Sequence, residues 1–520
     1  MMKRFLFLGP LFFSFFSQAQ LPEDALRLSY TNPSGTAREQ AIGGAMGSLG
    51  GDISSNFVNP AGLGFYKTSE FLLSPAFGFS KTKSAYLSQN ETGPGKNHFA
   101  LGTSGLVLGR ATAPDKSTAF SFAINRSADF NGHIRYSGKN DYSSAAEAYA
   151  EEYAYSGLSI DDALSQPGIS LSYGTRMALY TYLVDTATIG GITQVIAQPQ
   201  KVLAAGGQLY QLNDVRTSGG ITELAFGFAS STRDKWYLGA SVGIPIVNYQ
   251  RDRQYTETDL SGNTNNDFNS YTYRESYSSK GAGVNIKLGA IFRPNASWRF
   301  GLAVHSPTLY SLTDRVDATL FSDAEGYHHP DSTTSAIMDN NSGGGNSLRY
   351  DLSSPWHFLA SGSYVFGTGA DATSRQGFIT GDIEYITNRS PRLSLPSDYD
   401  GYYTSSDNNY YDGLNSTVKS YYKNSFNFRL GGEMKFNALA VRLGGSYSMS
   451  PYAGSDIKAS RATVGGGLGY RNHGIFVDLT YVESFQKDAD FPYRLSDKDN
   501  IYATTHQNSG NIILTVGIKF

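Results

Sequence analysis

The chain has 520 residues and no cysteine, which excludes a disulfide framework, zinc–thiolate sites and a cysteine nucleophile. Its net charge of −3, from 42 basic and 45 acidic residues, gives no reason to expect nucleic acid as a partner. The 57 Gly, 36 Tyr and 31 Phe beside 17% charged residues suit a soluble all-β protein or a membrane barrel, whose mean hydropathy stays low because only alternate residues face lipid.

Lys3 and Arg4, the apolar run FLFLGPLFFSFF and the small residues of SQA before Gln20 predict a cleaved export signal over residues 1–19. That run is too short to span a bilayer, and no later stretch approaches the ~18 uninterrupted apolar residues a membrane helix needs. Next comes AIGGAMGSLGGDISSNFVNPAGLGFY, residues 41–66, with neither a helical nor a strand period and too much glycine to build a core.

From residue 68 onward, period two recurs in about fourteen segments of ten or more residues. STAFSFAI sets Phe120, Phe122 and Ile124 against Ala119, Ser121 and Ala123. Arg126 falls on the lipid parity of this strand, where a charge at mid-bilayer would cost roughly 2–4 kcal/mol. Asn125 and Arg126 therefore mark either a headgroup-level position or a bulge that re-aims the chain. The connection 131–218 carries two helical candidates. AAEAYAEEYAY follows a capping box of Ser144 and Glu147, and SYGTRMALYTYLVDTA presents Met177, Leu179, Tyr180, Leu183 and Val184. An aromatic stripe of this kind serves local packing or ligand contact.

Later strands repeat the alternation. VNIKLGAIF places Val284, Ile286 and Leu288 opposite Asn285, Lys287 and Gly289, and SFNFRLGGEMKF places Phe426, Phe428 and Leu430 opposite Asn427 and Arg429. The same phase turns Lys287, Arg299, His305, Arg429, Arg442 and Arg461 inward, with Asp382, Glu384, Glu433 and Asp478. Such inward charges pair with one another, with a plug, or with a ligand carboxylate. Every second connection is short (ATAPDK, TRD, RPNA, GTGADATSR, FNA, RNHG), whereas 131–218, 317–349 and 393–423 are long and polar. Loops sorted by parity describe an outer-membrane barrel with periplasmic turns and extracellular loops. The final strand, NIILTVGIKF, ends on Phe520, which fits an outer-membrane assembly signal.

The segment ALRLSYTNPSGTAREQAIGGAMGSLGGDISSNFVNPAGLG resembles the N-terminal hatch of the FadL/TodX family of outer-membrane transporters for long-chain fatty acids and other hydrophobic compounds. Collinear matches are IFRPNASWRFGLAVHSPTLYSLTD, GFITGDIEYI, VRLGGSYSMSPY and GGLGYRNHGIFVDLTYV. The resemblance implies an all-β, transmembrane antiparallel barrel of about 14 strands over residues 68–520, its lumen holding a hatch over residues 20–67 with Asn59, Pro60, Ala61 and Gly62 at its tip. It further implies passive, non-enzymatic uptake of fatty acids or aromatic hydrocarbons by a monomer, without cofactor or metal, and lateral exit through a kinked third strand into outer-membrane lipid.

On phasing, Lys287, Arg429 and Arg442 are the candidates to meet a carboxylate head group, with Arg176 next. Met177, Leu179, Tyr180 and Leu183 are the candidates to cover the chain. A pocket is then expected between residues 59–62 and 177–184. The principal rival is a shuttle for secreted proteins that grips its partner with the long loops. A hydrolase built on His305 and Ser306 is disfavoured, because adjacent strand residues point to opposite faces.

Overall fold

The computed structural model describes residues 27–28, 35–165, 171–338, 346–367, 376–396, 405–454 and 459–520. The expected export signal lies outside the described residues. Fourteen wall strands run in chain order, several made of collinear pieces. They are β1 (Glu70–Leu73, Pro75–Tyr86), β2 (Gln89–Thr92, Lys96–Leu101, Ser104–Ala113), β3 (Lys116–Asp129, Gly132–Asn140), β4 (Leu209–Thr232) and β5 (Trp236–Asp259). There follow β6 (Ser270–Phe292), β7 (Trp298–His305, Leu309–Ala324), β8 (Asn346–Ser353, His357–Phe366), β9 (Gln376–Ile386, Arg392–Ser394) and β10 (Ser425–Phe436). The last four are β11 (Leu439–Ser448), β12 (Arg461–Asn472), β13 (Ile475–Asp490) and β14 (Ala503–Lys519). Each pairs antiparallel with the next, and Glu70 opposite Lys519 closes the ring. Closure removes the free sheet edges that a bilayer excludes, except where the ladder between β2 and β3 is interrupted.

The outer surface shows where lipid ends. On β5, Leu238, Val242, Ile244 and Ile246 are exposed, and above them the same face presents Asn248, Gln250 and Asp252. On β14 the exposed Ile518, Val516, Leu514 and Ile512 give way to Asn508, His506 and Thr504. The apolar belt is thus carried by the strands. No helix among the described residues is long and apolar enough to cross a membrane.

Short turns lie at one end, including Pro114 with Asp115, Asn437 with Ala438 and His473 with Gly474. The long connections gather at the other end. There the strands run further than the sequence reading allows: β3 continues to Asn140 and β4 begins at Leu209, so the connection is 141–208 rather than 131–218. Beyond the lipid the outer face turns polar, which erases the apolar alternation that marks a strand from sequence. This connection holds α3 (Ala146–Ser156), α4 (Ile160–Ser165), α5 (Tyr173–Tyr180) and α6 (Pro199–Ala204). The second helical candidate ends at Tyr180, and Val184 instead opens a short hairpin strand, Val184–Ile189.

The third strand is irregular. Ala128 faces Ile221 and Arg126 faces Thr222, which leaves Ser127 as an extra, bulged residue. Its ladder with β2 stops at Ser104 opposite Ile124. Above that point Lys96–Leu101 pairs only with β1, while residues 125–129 pair only with β4. His98 Nε2 and Asp129 Oδ2, 3.0 Å apart, bridge the interrupted seam.

Candidate functional site

Residues 35–66 run against the inner wall, and the wall is shaped to receive them. Two short helices, α1 (Ala37–Ala41) and α2 (Ser55–Val58), and a 3-10 turn, Pro60–Phe65, are all the regular structure the segment has. Its backbone polar groups find partners on the strands instead, as burial requires. Ala37 N–H donates to Thr515 Oγ1 at 2.8 Å, and Gly47 N–H to Asp382 Oδ2 at 3.0 Å. His305 Nε2 donates to the Val58 carbonyl at 2.9 Å. Asn59 is wholly buried: its amide nitrogen donates to the Gly47 carbonyl at 2.6 Å and reaches the Leu302 carbonyl at 3.3 Å. Its Oδ1 accepts from Ala61 N–H, which turns the chain into Pro60, Ala61 and Gly62. Close approach also needs glycine on the wall. A Cβ at Gly301 would overlap the Gly47 carbonyl, and one at Gly444 would overlap the backbone of Ile42.

Above this segment lies a cavity of about 120 Å³. Phe57 and Val58 form its floor, and Ile221, Pro245, Tyr310 and Leu359 give apolar wall. It reaches the third strand at Asn125 and the bulged Ser127. Its charged lining holds two closed pairs, Lys287 with Glu223 and Arg429 with Glu384, which also meets His357 Nδ1 at 2.9 Å, together with the buried Glu39 of the internal segment. Lys287 Nζ further donates to Asn285 Oδ1 at 2.7 Å.

Of the candidate head-group cations, Lys287 and Arg429 line the cavity and Arg442 does not. Arg442 is fully enclosed lower in the lumen, donating to Glu433 Oε2 and Asp478 Oδ1, each at 2.6 Å. Arg176 sits in the loop cluster and donates to the carbonyls of Ala163 and Leu164. Met177, Leu179 and Leu183 are buried among the loop helices with Tyr153 and Phe268, and Tyr180 is exposed. Neither these residues nor Asn59 to Gly62 line the cavity, so it does not lie where the sequence reading expects. The loop stripe packs on itself, as helical aromatic faces commonly do.

Asn125 is buried and accepts from Thr103 Oγ1 at 3.0 Å. Arg126 leans along the wall toward Asp129 at 3.9 Å, and Thr222 accepts its Nη1–H at 3.4 Å. His305 and Ser306 form hydrogen bonds in different directions, Ser306 Oγ donating to the Pro307 carbonyl. Phe520 is exposed at the short-turn end, its main chain paired with Ser69. Sequence phasing missed Glu223, the partner of Lys287. It stands on a strand whose register depends on the bulge opposite it.

No family model matches the chain, and no curated protein matches it. Among solved structures it is similar to a Pseudomonas aeruginosa FadL homologue, with 14% identity, 95% of this chain and 100% of that chain covered, and a TM-score of 0.53. It is also similar to the Pseudomonas putida toluene transporter TodX, with 13% identity, 94% and 99% covered, and a TM-score of 0.50. The closed fourteen-stranded ring and these full-length superpositions give one conclusion: the chain has the fold of the FadL/TodX-like outer-membrane channels.

Proposed function

We propose that the chain admits hydrophobic or amphipathic small molecules passively across the outer membrane, with residues 35–66 as the plug and the interrupted β2–β3 seam as a lateral exit into lipid. The observation that carries this reading is the continuity of the cavity with the wall. Phe57 of the internal segment and Ser127 of the bulge line one space, beside the point where the ladder stops. TodX, a structural neighbour, is a toluene transporter. The cavity of about 120 Å³ is somewhat smaller than the void of about 150 Å³ that takes up benzene, so an aromatic ring needs only a modest side-chain adjustment to enter. A long acyl chain would need more room than 120 Å³ and would have to displace side chains.

Because the chain has no cysteine, the exit can be tested by a reversible lock. His98 and Asp129, whose side chains meet at 3.0 Å across the seam, are replaced by cysteine. Oxidation should abolish most uptake of labelled toluene into cells expressing the variant, and a reductant should restore it. Unchanged uptake in the oxidised form would exclude lateral exit at this seam.

A further inference from the structure

We propose that β13, β14 and β1 together carry a binding site for the phosphates of a phosphorylated glycolipid in the outer leaflet. On the outer face of these three adjacent strands, Lys83 lies directly opposite His506, and His506 directly opposite Lys487. One rung lower Lys81 lies opposite Asn508. All four basic side chains are exposed, and none forms an ion pair among the described residues. Below them the same face carries Phe79 stacked on Tyr481, then Ile512, so the basic rung stands immediately above the lipid belt.

The two ammonium groups of the rung stand two strands apart with only the imidazole of His506 between them, and no carboxylate among the described residues pairs with either. Other basic side chains of the molecule are paired: Lys67 meets Asp234 at 3.0 Å, Arg315 meets Asp317 at 3.0 Å and Arg216 meets Asp214 at 3.2 Å. Nearby acids do not compensate the rung. Asp490 turns inward to Tyr136, Glu91 is held by Arg135, and Glu483, lower on the outer face, accepts from the Tyr481 hydroxyl. An external anion at headgroup height would bridge the ammonium groups, and clustered lysines at a bilayer surface attract anionic lipid in this way. The rung's position above an apolar belt selects a membrane-anchored phosphate, whose acyl chains cover Phe79, Tyr481 and Ile512.

This proposal rests on the reading that the long loops face outward from an outer membrane, and it is tested without any uptake measurement. The purified chain in neutral detergent is titrated with fluorescent diphosphoryl lipid A and with the same lipid dephosphorylated, at low and high salt. The phosphorylated form should bind more tightly, and salt should weaken it. The Lys83→Gln/Lys487→Gln variant should lose about thirty-fold in affinity, at roughly fivefold for each ammonium removed. Lys280→Gln, an exposed lysine on β6, should change binding little. Equal affinity of the double variant and the unsubstituted chain would overturn the proposal, as would an equal loss from Lys280→Gln. Displacement of the lipid by inorganic phosphate at equal concentration would assign the rung to free phosphate and overturn the lipid. Heat-modifiable migration on a denaturing gel verifies that each variant is folded. A lipid result of either sign leaves the cysteine-lock result at the β2–β3 seam standing by itself.

Discussion

Arg442 shows how much one inward charge can commit. Its guanidinium has no exposed surface, and it joins Glu433 on β10 to Asp478 on β13, while Arg38 approaches the same Glu433 at 3.4 Å. Removing one partner of a buried pair costs about 3–5 kcal/mol because the remaining charges lose their compensation. Arg442→Met should therefore lower the denaturant midpoint of the barrel strongly, and adding Glu433→Gln and Asp478→Asn should recover much of the loss. An unchanged midpoint for the single variant would show that water reaches this site. Glu257, on the part of β5 above the lipid belt, is a different case. Burial pushes its carboxyl up to about 7, against hydrogen bonds from Ser144, Ala145, Tyr255 and Gln211. The folded value lies above the ordinary 4.5, so the folded state holds the proton longer. Its stabilising contribution is complete below about 4.5 and is lost as pH rises through about 7. Amide exchange in α3 and the adjoining β5 should accelerate across that interval, and Glu257→Gln should flatten the dependence.

Among elements, the internal segment has the least structure of its own and the most dependence on its surroundings. Its helices are five and four residues long, far below what is stable alone in water. The wall strands pair with one another and not with it, so deleting residues 21–64 should leave a heat-modifiable barrel. Conductance in planar bilayers and permeability to small polar solutes should rise. If neither rises, the segment does not occlude the lumen. The third strand is the other unusual element. Arg126 on the lipid parity signals that something must give there, since a mid-bilayer charge is expensive. Whether the resolution is a bulge, and that Ser127 is the extra residue, depends on the partner register of β4 and cannot be read from β3 alone.

At the scale of the molecule, the topology makes a direct prediction. Cysteine at Ser332, on a hairpin among the long connections, should react with an impermeant thiol reagent on intact cells. Cysteine at Asn295, in a short turn, or at Asn472, the last residue of β12 before another, should not. Labelling of both sets would overturn the orientation. Much of this architecture was legible in the sequence. Alternation in 425–436 or 475–482 records directly which side meets lipid, because hydrocarbon tolerates only apolar side chains on that parity. Loop parity followed from the same segments.

The lumen was not legible. Phasing turned Lys287, Arg429 and Arg442 inward correctly, yet an inward side chain can point to a cavity, a plug or another charge. Which of these it meets depends on strand stagger and on the path of residues 35–66, both fixed by contacts hundreds of residues apart, such as Gly47 with Asp382. The loop stripe at Met177, Leu179 and Leu183 carries the same ambiguity, and packing resolved it toward the loop core. The sequence by itself determined the barrel, a strand number of about fourteen and its two unlike ends, because these follow from local periodicity against a uniform solvent. Tertiary structure decided the cavity, the closed ion pairs and the broken seam, because each arises where strands distant in sequence meet.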